Sequence, residues 1–389
     1  MTQANFSVDS ISEFLTIADT DYRIFDLGRV VREVPRELFR AIELGQQPYP
    51  TPLQRHAWLA IVFWQRHNNM PFIWFSKFPL DERGLLNHAA RQHFLQIIVE
   101  ALGRDLTAEA TPEQAELLKQ NPYVFTPDET KRAAFHAHVS VLLNHPPSVY
   151  FEDVESFITK PVASSPRVND SEVSTQSVTQ DWQTLGVQGL HDVAARLSSL
   201  PRVTTALSEQ FLKWPAAFQR QLAAALEHQV LPHHLVQNIV VLLQRDCGPH
   251  SLKTQQRLFL IRSLGATLYD LWVNQRHLKS LQNLRQYLQQ FFDPQVLGDA
   301  QLATQDEADL LVIIAARCWP LLLDQGFRQD FLDRLSVHQD LFNHVFADLV
   351  GLPELRIHLL MMMRDRQQQS AELAAALSRL QQQLQPTAK

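Results

Sequence analysis

Glycine is scarce in this sequence: 11 of 389 residues, or about 3%, compared with about 7% in average proteins. Loops that bind phosphate groups need glycine where the backbone approaches the ligand closely. Neither GxGxxG nor GxxxxGKS/T occurs in the sequence. This composition disfavours a nucleotide-dependent enzyme of the familiar kinds.

Cysteine is scarcer still, with only Cys247 and Cys318 present. Two residues provide neither a disulfide framework nor a multi-cysteine metal site, and a reducing, cytoplasmic setting fits this usage best. Both lie in predicted helices, where a small buried thiol is the default. We therefore predict no redox role and no cofactor for them.

Long hydrophobic runs are also missing. The longest apolar segment, Leu310–Leu323, contains Arg317 and Pro320 and is shorter than the roughly 20 residues of a spanning helix. The N-terminus lacks a basic stretch followed by an apolar one, so we expect neither a signal peptide nor a membrane span. The net charge of −6 gives no global electrostatic reason to expect nucleic acid.

Catalytic and metal-binding motifs are absent too, since neither HExxH nor GxSxG occurs. His136 and His138 form an HxH pair, but residues two apart on a helix point about 200° apart, so the two side chains diverge and metal binding is disfavoured. His138 falls on the apolar face of its predicted helix, which favours a buried, hydrogen-bonded histidine. His233 and His234 adjoin a helix start and are predicted at the surface. No catalytic, metal or cofactor residue is predicted.

What the sequence does contain is an aromatic stretch early in the chain. Two apolar runs, Trp58–Trp64 and Pro71–Phe78, flank the polar segment Arg66–Asn69. Runs of this composition joined by asparagines predict a β-hairpin. Neither run alternates between apolar and polar residues, so we expect both strands to be covered on both faces.

Helix-start signals surround this hairpin. Capping-box patterns occur at Ser10–Glu13, Thr111–Gln114 and Thr126–Glu129, Pro35 suits a first helical turn, and Asp81 is a candidate N-cap. These signals predict a mixed α/β domain over residues 1–162. Residues 163–181 are rich in Ser, Thr, Asn and Asp, which predicts a flexible linker or exposed loop.

From residue 182 to residue 389 the pattern is helical, so the fold class is predicted as mainly α. Pro201, Pro215, Pro232 and Pro249 are 14, 17 and 17 residues apart. Such spacing is typical of stacked helical hairpins of the HEAT or TPR kind, with an irregular bundle as the alternative. At the C-terminal end the leucine seam, defined as Leu373, Leu377, Leu380 and Leu384, could form a homodimer or dock onto the helical domain.

One arginine-rich segment is a candidate partner surface. Arg29, Arg32, Arg36 and Arg40 follow a 3, 4, 4 spacing that would place them on one helical face, although Pro35 interrupts it. Neighbouring acidic residues favour a solvated, salt-bridged face over phosphate binding.

The aromatic residues of the hairpin offer a second candidate surface. Most of them belong to apolar strands and should lie in the core. Trp74 and Phe78 share one strand face, given the period of two, and are the candidates to line a groove.

Three longer segments resemble a known family. They are FIWFSKFPLDERGLL (72–86), NPYVFTPDETKRAAFHA (121–137) and WQTLGVQGLHDVAARL (182–197), and FDLGR (25–29) and PYPTP (48–52) are similar to its N-terminal part. The family is a bacterial one catalogued as domain of unknown function 3549. The resemblance implies a bacterial cytoplasmic setting and transfers no ligand, activity or site residue. The polar stretch Ala163–Gln180 departs from the pattern of this family.

These features favour a non-enzymatic protein that binds another protein, because helical hairpins form extended binding surfaces. One alternative is an enzyme with an unfamiliar site at the interdomain junction, gathering Arg29, Asp26 and a histidine such as His136. The other is an RNA- or DNA-associated factor that uses the Arg23–Arg40 region and binds with steep salt dependence.

Overall fold

The computed structural model describes residues 9–102, 111–162, 182–244, 254–275, 279–290, 304–365 and 369–384. These residues belong to two compact units. The first unit lies within Met1–Lys131 and Val350–Ile357, and the second within Arg132–Leu349 and His358–Lys389. The predicted linker at 163–181 lies outside the described residues, so the predicted domain boundary stays a prediction.

The N-terminal third of the chain mixes helices and strands. In chain order its elements are α1 (Ile11–Ile17), β1 (Thr20–Asp26), β2 (Arg32–Val34), α2 (Arg36–Glu43), β3 (His56–Gln65), β4 (Asn68–Pro79), α3 (His88–Leu102) and α4 (Pro112–Lys119). The strands form one antiparallel sheet in the order β2-β1-β3-β4.

The predicted hairpin is present as β3 and β4, which pair from His56–Pro79 to Gln65–Asn68. The register shifts between Phe63 and Gln65, at the end of the pairing next to the hairpin turn. On one face of the sheet, aromatic and aliphatic side chains pack against α1, α2 and α3 in a buried cluster that includes Tyr22, Ile24, Ile61, Phe63, Phe14, Phe39 and Phe94.

The two strands of the hairpin differ in how well they are covered. On β3 the opposite face is buried as well, at Ala60 and Val62. On β4, an edge strand, Phe72 remains 36% exposed and Trp74 is half-buried. The expectation that both strands are covered on both faces therefore applies to β3 and is wrong for β4, where Phe72 and Trp74 are only partly covered although residues 123–125 bridge the outer edge of the strand.

Two of the predicted helix caps are confirmed. The Ser10 side chain accepts a hydrogen bond from the Glu13 amide, and Thr111 forms a complete capping box with Gln114. The Thr126 cap is wrong: α5 begins at Glu129, and Asp128 accepts a hydrogen bond from the Lys131 amide instead.

Asp81 does not cap a helix either. Its carboxylate accepts hydrogen bonds from the amides of Arg83 and Leu85 within a turn. Helix α3 begins seven residues later, and the Asn87 side chain accepts a hydrogen bond from the Ala90 amide. The Asp81 carboxylate therefore stabilises a local turn instead of a helix start. Aspartate side chains commonly hydrogen-bond to nearby backbone amides in this way.

The first unit is completed by a segment from far along the chain. Around Gly84, the space that a Cβ would occupy lies 3.6 Å from Nη2 of Arg356 and 3.9 Å from Pro353. The corresponding position at Gly351 lies 3.9 Å from Pro52. Val350–Ile357 therefore packs beside loops that precede it by about 270 to 300 residues.

After α4, the described chain is helical apart from its connections. Its helices are α5 (Glu129–Leu142), α6 (Phe151–Thr159), α7 (Val187–Ala195), α8 (Pro201–Gln210), α9 (Ala216–Leu226), α10 (His233–Gln244), α11 (Thr254–Arg262), α12 (Gly265–Val273), α13 (Lys279–Gln290), α14 (Thr304–Arg317), α15 (Gln325–Val337), α16 (Gln339–Gly351), α17 (Pro353–Arg364) and α18 (Ala371–Leu384). The mainly α fold class is thus confirmed.

Several helices of the second unit pack against the helix two or three places further along the chain. One row consists of α7, α9, α11 and α14, and a second row of α8, α10 and α13. The structure places Pro201 at the first position of α8 and Pro215 at the N-cap of α9. Pro249 lies outside the described residues.

The leucine seam packs within the chain. Leu373 and Leu377 are at most 4% exposed and Leu380 is 9% exposed, on a helix that packs against α15. These three side chains pack within the chain, and the predicted homodimer through the seam stays a prediction. The side chain of Leu384 lies outside the described residues.

Candidate functional site

The predicted arginine face does not form. Arg29 is 1% exposed, and its Nε donates a hydrogen bond to the Pro52 carbonyl at 3.2 Å. Arg32 lies on β2 and reaches Thr51 Oγ1 at 2.8 Å and Asp26 Oδ2 at 3.4 Å. The prediction that Arg29 contributes to a partner surface is wrong, because the loop containing PYPTP covers it.

The other two arginines of that prediction lie on α2. Arg36 pairs with Asp21, donates to the Tyr22 carbonyl at 2.9 Å, and lies 4.6 Å above the Tyr22 ring. Arg40 is exposed. Since Pro35 is the N-cap of α2, the helix excludes Arg29 and Arg32 and the four side chains do not share one helical face.

The aromatic candidates have different environments. Phe78 is 0% exposed and makes an edge contact with Phe94 at 5.2 Å, so its predicted role at a groove is wrong. Trp74 is half-buried against Phe63 and Phe94, at 4.6 and 6.0 Å. Of the predicted surface, Arg32, Arg36, Arg40 and Trp74 retain some exposure, and their role stays a prediction.

The carboxylate and histidine candidates of the predicted junction site belong to different units of the chain. Asp26 is 0% exposed and accepts hydrogen bonds from the Gly28 amide at 2.7 Å and from Thr51 Oγ1. Asp26 belongs to the first unit and His136 to the second. His138 is hydrogen-bonded as predicted, with Nε2 3.0 Å from the His228 carbonyl oxygen, and burial lowers its pKa.

No group of three or more His, Cys, Asp or Glu side chains in the described part of the chain is placed to hold a metal ion. Likewise, none of the described helices combines the length and apolarity that a membrane crossing requires.

A short loop of the second unit is held by several hydrogen bonds between its backbone and the side chains of neighbouring helices. We call residues 144–150, between α5 and α6, the presenting loop. Ser140 Oγ donates to the carbonyls of His145 and Pro146 at 3.1 Å each, and Arg196 Nη2 donates to the His145 carbonyl at 3.2 Å. The loop backbone is thus fixed from both α5 and the residue after α7.

A buried carboxylate holds the far end of this loop. Asp192 on α7 is 1% exposed and accepts a hydrogen bond from the Ser148 amide at 2.9 Å. The other carboxylate oxygen accepts a hydrogen bond from Gln188 Nε2 at 3.2 Å, and Arg196 Nη1, 3.6 Å away, compensates the charge. A buried carboxylate is costly without such partners, and this one uses its remaining acceptor capacity to hold the loop.

Two glycines, one at the N-cap of α7 and one in its first turn, allow the presenting loop to pack closely against this helix. A Cβ added to Gly189 would lie 2.5 Å from the Tyr150 carbonyl oxygen, and one added to Gly186 would lie 2.7 Å from the Tyr150 ring. Contacts below 3.0 Å are not tolerated by a real side chain. Only glycine at these positions lets Tyr150 pack against the start of α7.

The immobilised loop exposes apolar side chains. Val149 is 86% exposed and Tyr150 48%, and Pro146 of the same loop is exposed as well. Isolated exposed apolar residues are ordinary on protein surfaces. Here they are neighbours on a backbone with several anchors, which is an arrangement suited to contact with another molecule.

Sequence reasoning missed this loop, although a signal for it was present. Gln188, Gly189, Asp192 and Arg196 all lie in WQTLGVQGLHDVAARL, one of the segments that resemble the known family. Ala133, whose carbonyl accepts a hydrogen bond from Gln188 at 3.2 Å, lies in a second such segment. The polar residues within these helical segments indicated a tertiary role that periodicity alone does not reveal.

A groove of about 590 Å³ lies between α8 and α10 in the same unit. Its rim consists of exposed residues: Thr205, Glu209, Lys213, His234, Asn238 and Val241. Its floor consists of Ser208, Phe211, Leu212 and Leu242, which are buried or half-buried. A hydrogen bond of 2.9 Å from Asn238 Nδ2 to Ser208 Oγ joins the two helices.

The most strongly charged interior site of the second unit surrounds Glu227, which is 1% exposed. Arg262 Nη2 and Arg317 Nε donate to its carboxylate at 2.9 and 3.1 Å. Burial raises its pKa, but these hydrogen bonds and charges outweigh burial and lower the pKa to about 2. The carboxylate joins three helices, α9, α11 and α14, which is a structural role.

Comparison with known proteins gives one result. The family described as "Protein of unknown function (DUF3549)" matches residues 7–381. No curated protein and no solved structure matches the chain.

Proposed function

This chain is a member of the DUF3549 family, and we propose that it is a non-enzymatic scaffold that binds another protein through the presenting loop. The observation that carries the proposal is the exposure of Val149, 86%, on a backbone fixed by Asp192, Arg196 and Ser140. Binding through a loop that is already ordered avoids much of the entropic cost of ordering it in the complex.

The partner that fits this loop is a folded protein with a shallow apolar cleft. Pro146 and Pro147 restrict the backbone, and Val149 and Tyr150 project apolar surface beside them. Proline-containing segments of fixed conformation are typically bound in clefts lined by aromatic side chains. The two carbonyls bound by Ser140 are already paired, so side chains rather than these carbonyls would form the contact.

The packing of the helices supports the scaffold part of the proposal. The two rows α7-α9-α11-α14 and α8-α10-α13 resemble the layers of stacked helical hairpins, which build extended surfaces. We extend the proposal to a repeat-like helical architecture on that ground. A bacterial cytoplasmic setting remains the prediction that accompanies it.

The test compares the full-length chain with two variants as bait in native cell lysate. Val149→Asp places a charge at the tip of the loop, and Val230→Asp is the matched control, because Val230 is also an apolar loop residue, 56% exposed. We expect wild type and V230D to retain the same protein and V149D to lose it. Titration of that purified protein should then show an affinity loss of about tenfold or more for V149D.

Two outcomes would overturn the proposal. Equal recovery by wild type, V149D and V230D would show that the loop is not the binding site. A partner set that disappears when nuclease is added would instead favour the nucleic-acid alternative, and affinity falling steeply with salt would support that result.

A further inference from the structure

The groove between α8 and α10 is separate from the presenting loop and is not used by the function proposed above. We propose that it binds an amphipathic helix of a partner protein, with the apolar side of that helix on Phe211, Leu212 and Leu242. The groove runs between two helices, its floor is apolar except for Ser208, and its rim is mainly polar. This is the arrangement by which helix-binding grooves receive residues spaced i, i+3, i+4 and i+7.

The shape of the groove argues against a small molecule. Small-molecule sites enclose roughly 70–90% of the ligand surface. Here six lining residues are exposed, including Thr205 on one helix and Asn238 on the other, so the groove is open along its length. Its volume of about 590 Å³ is sufficient for a row of several side chains from an elongated ligand.

The charged residues at the rim of the groove indicate which charges the bound partner helix should carry. Glu209 and Lys213 are exposed on the rim of the groove and lie four residues apart in the sequence. A bound helix with a basic and an acidic residue about one turn apart would complement both charges. Each pair would be partly desolvated on binding, which gives specificity in addition to the apolar contact.

The experiment selects ligands for the full-length chain from a displayed library of random peptides about 15 residues long, which is about four helical turns. Bound peptides are then measured against Val241→Glu and against Val312→Glu. Val241 lies on the rim and is 43% exposed, while Val312, 41% exposed on α14, does not line the groove. The two variants therefore make the same change on equally exposed helical positions.

We expect the selected peptides to show an amphipathic helical pattern with charges of both signs. V241E should weaken their binding by about tenfold or more and V312E should not. The double variant Glu209→Lys, Lys213→Glu should select peptides with the order of charges reversed. Circular dichroism of each variant establishes that it is folded, and the double variant provides a second test on exposed residues.

The proposal is overturned if the wild-type chain enriches no helical pattern, or if V241E and V312E bind the selected peptides equally. The V149D variant separates this result from the function proposed above. It should select the same peptides as wild type, because Val149 does not line the groove.

Discussion

Replacing Glu227 by glutamine should lower the stability of the second unit and flatten its dependence on pH. The carboxylate is almost fully buried and holds Arg262 and Arg317 through hydrogen bonds. Burial alone would raise its pKa, but the Arg262 hydrogen bond and the charges of Arg317 and Arg262 outweigh burial and lower the pKa to about 2, against an ordinary 4.5.

The magnitude follows from this difference. One pKa unit corresponds to 1.36 kcal/mol, so the ionised carboxylate contributes about 3 kcal/mol at neutral pH. Because the folded-state pKa lies below the unfolded one, the contribution is fully present above pH 4.5 and is lost as the pH falls towards 2. About 2 kcal/mol of it should be gone by about pH 3.

The assay is urea unfolding followed by far-UV circular dichroism, at about pH 6 and about pH 3. The free energy of unfolding of E227Q should be about 3 kcal/mol below wild type at the higher pH, and this difference should shrink by about 2 kcal/mol at the lower pH. Glu354→Gln, the same change at an exposed helical position, is the control and should alter stability by less than about 0.5 kcal/mol. A difference between wild type and E227Q that is the same at both pH values would refute the reasoning.

Two further predictions concern packing and reactivity. Gly189→Ala should lower the free energy of unfolding by about 1–3 kcal/mol, since its Cβ would lie 2.5 Å from the Tyr150 carbonyl oxygen. Gly326→Ala, whose nearest contact is 3.6 Å away, is the control, and equal urea midpoints for the two would contradict the prediction. Burial raises the pKa of Cys318 to about 12, so in a Cys247→Ser background a thiol reagent at about pH 8 should react only after unfolding. Rapid reaction of the folded protein would show that the thiol is not enclosed.

Local signals in the sequence predicted much of the first unit. The hairpin follows from the composition of its two runs, and the caps at Ser10 and Thr111 follow from side chains that act within one helical turn. The mainly α class follows from periodicity over many turns. Each of these features depends on residues that are close together in the sequence. A single amino-acid sequence was therefore sufficient to predict them.

The candidate sites depend on contacts between distant residues and were not predictable in the same way. Arg29 is buried because a loop 23 residues later supplies the Pro52 carbonyl. The presenting loop is fixed by Asp192, which is 44 residues after Ser148. Neither a spacing rule nor a propensity contains that information, because the partners meet only in the folded chain.

The Val350–Ile357 segment of the first unit has a consequence for the order of events during synthesis. The loops around Pro52 and Gly84 emerge from the ribosome early, but the residues that pack beside them, Gly351 and Arg356, are made more than 200 residues after Lys131. At about 5–20 residues per second, this leaves the nascent sheet unit without its final segment for roughly 10–45 s. The first unit to begin folding therefore cannot be completed before most of the second unit has been translated.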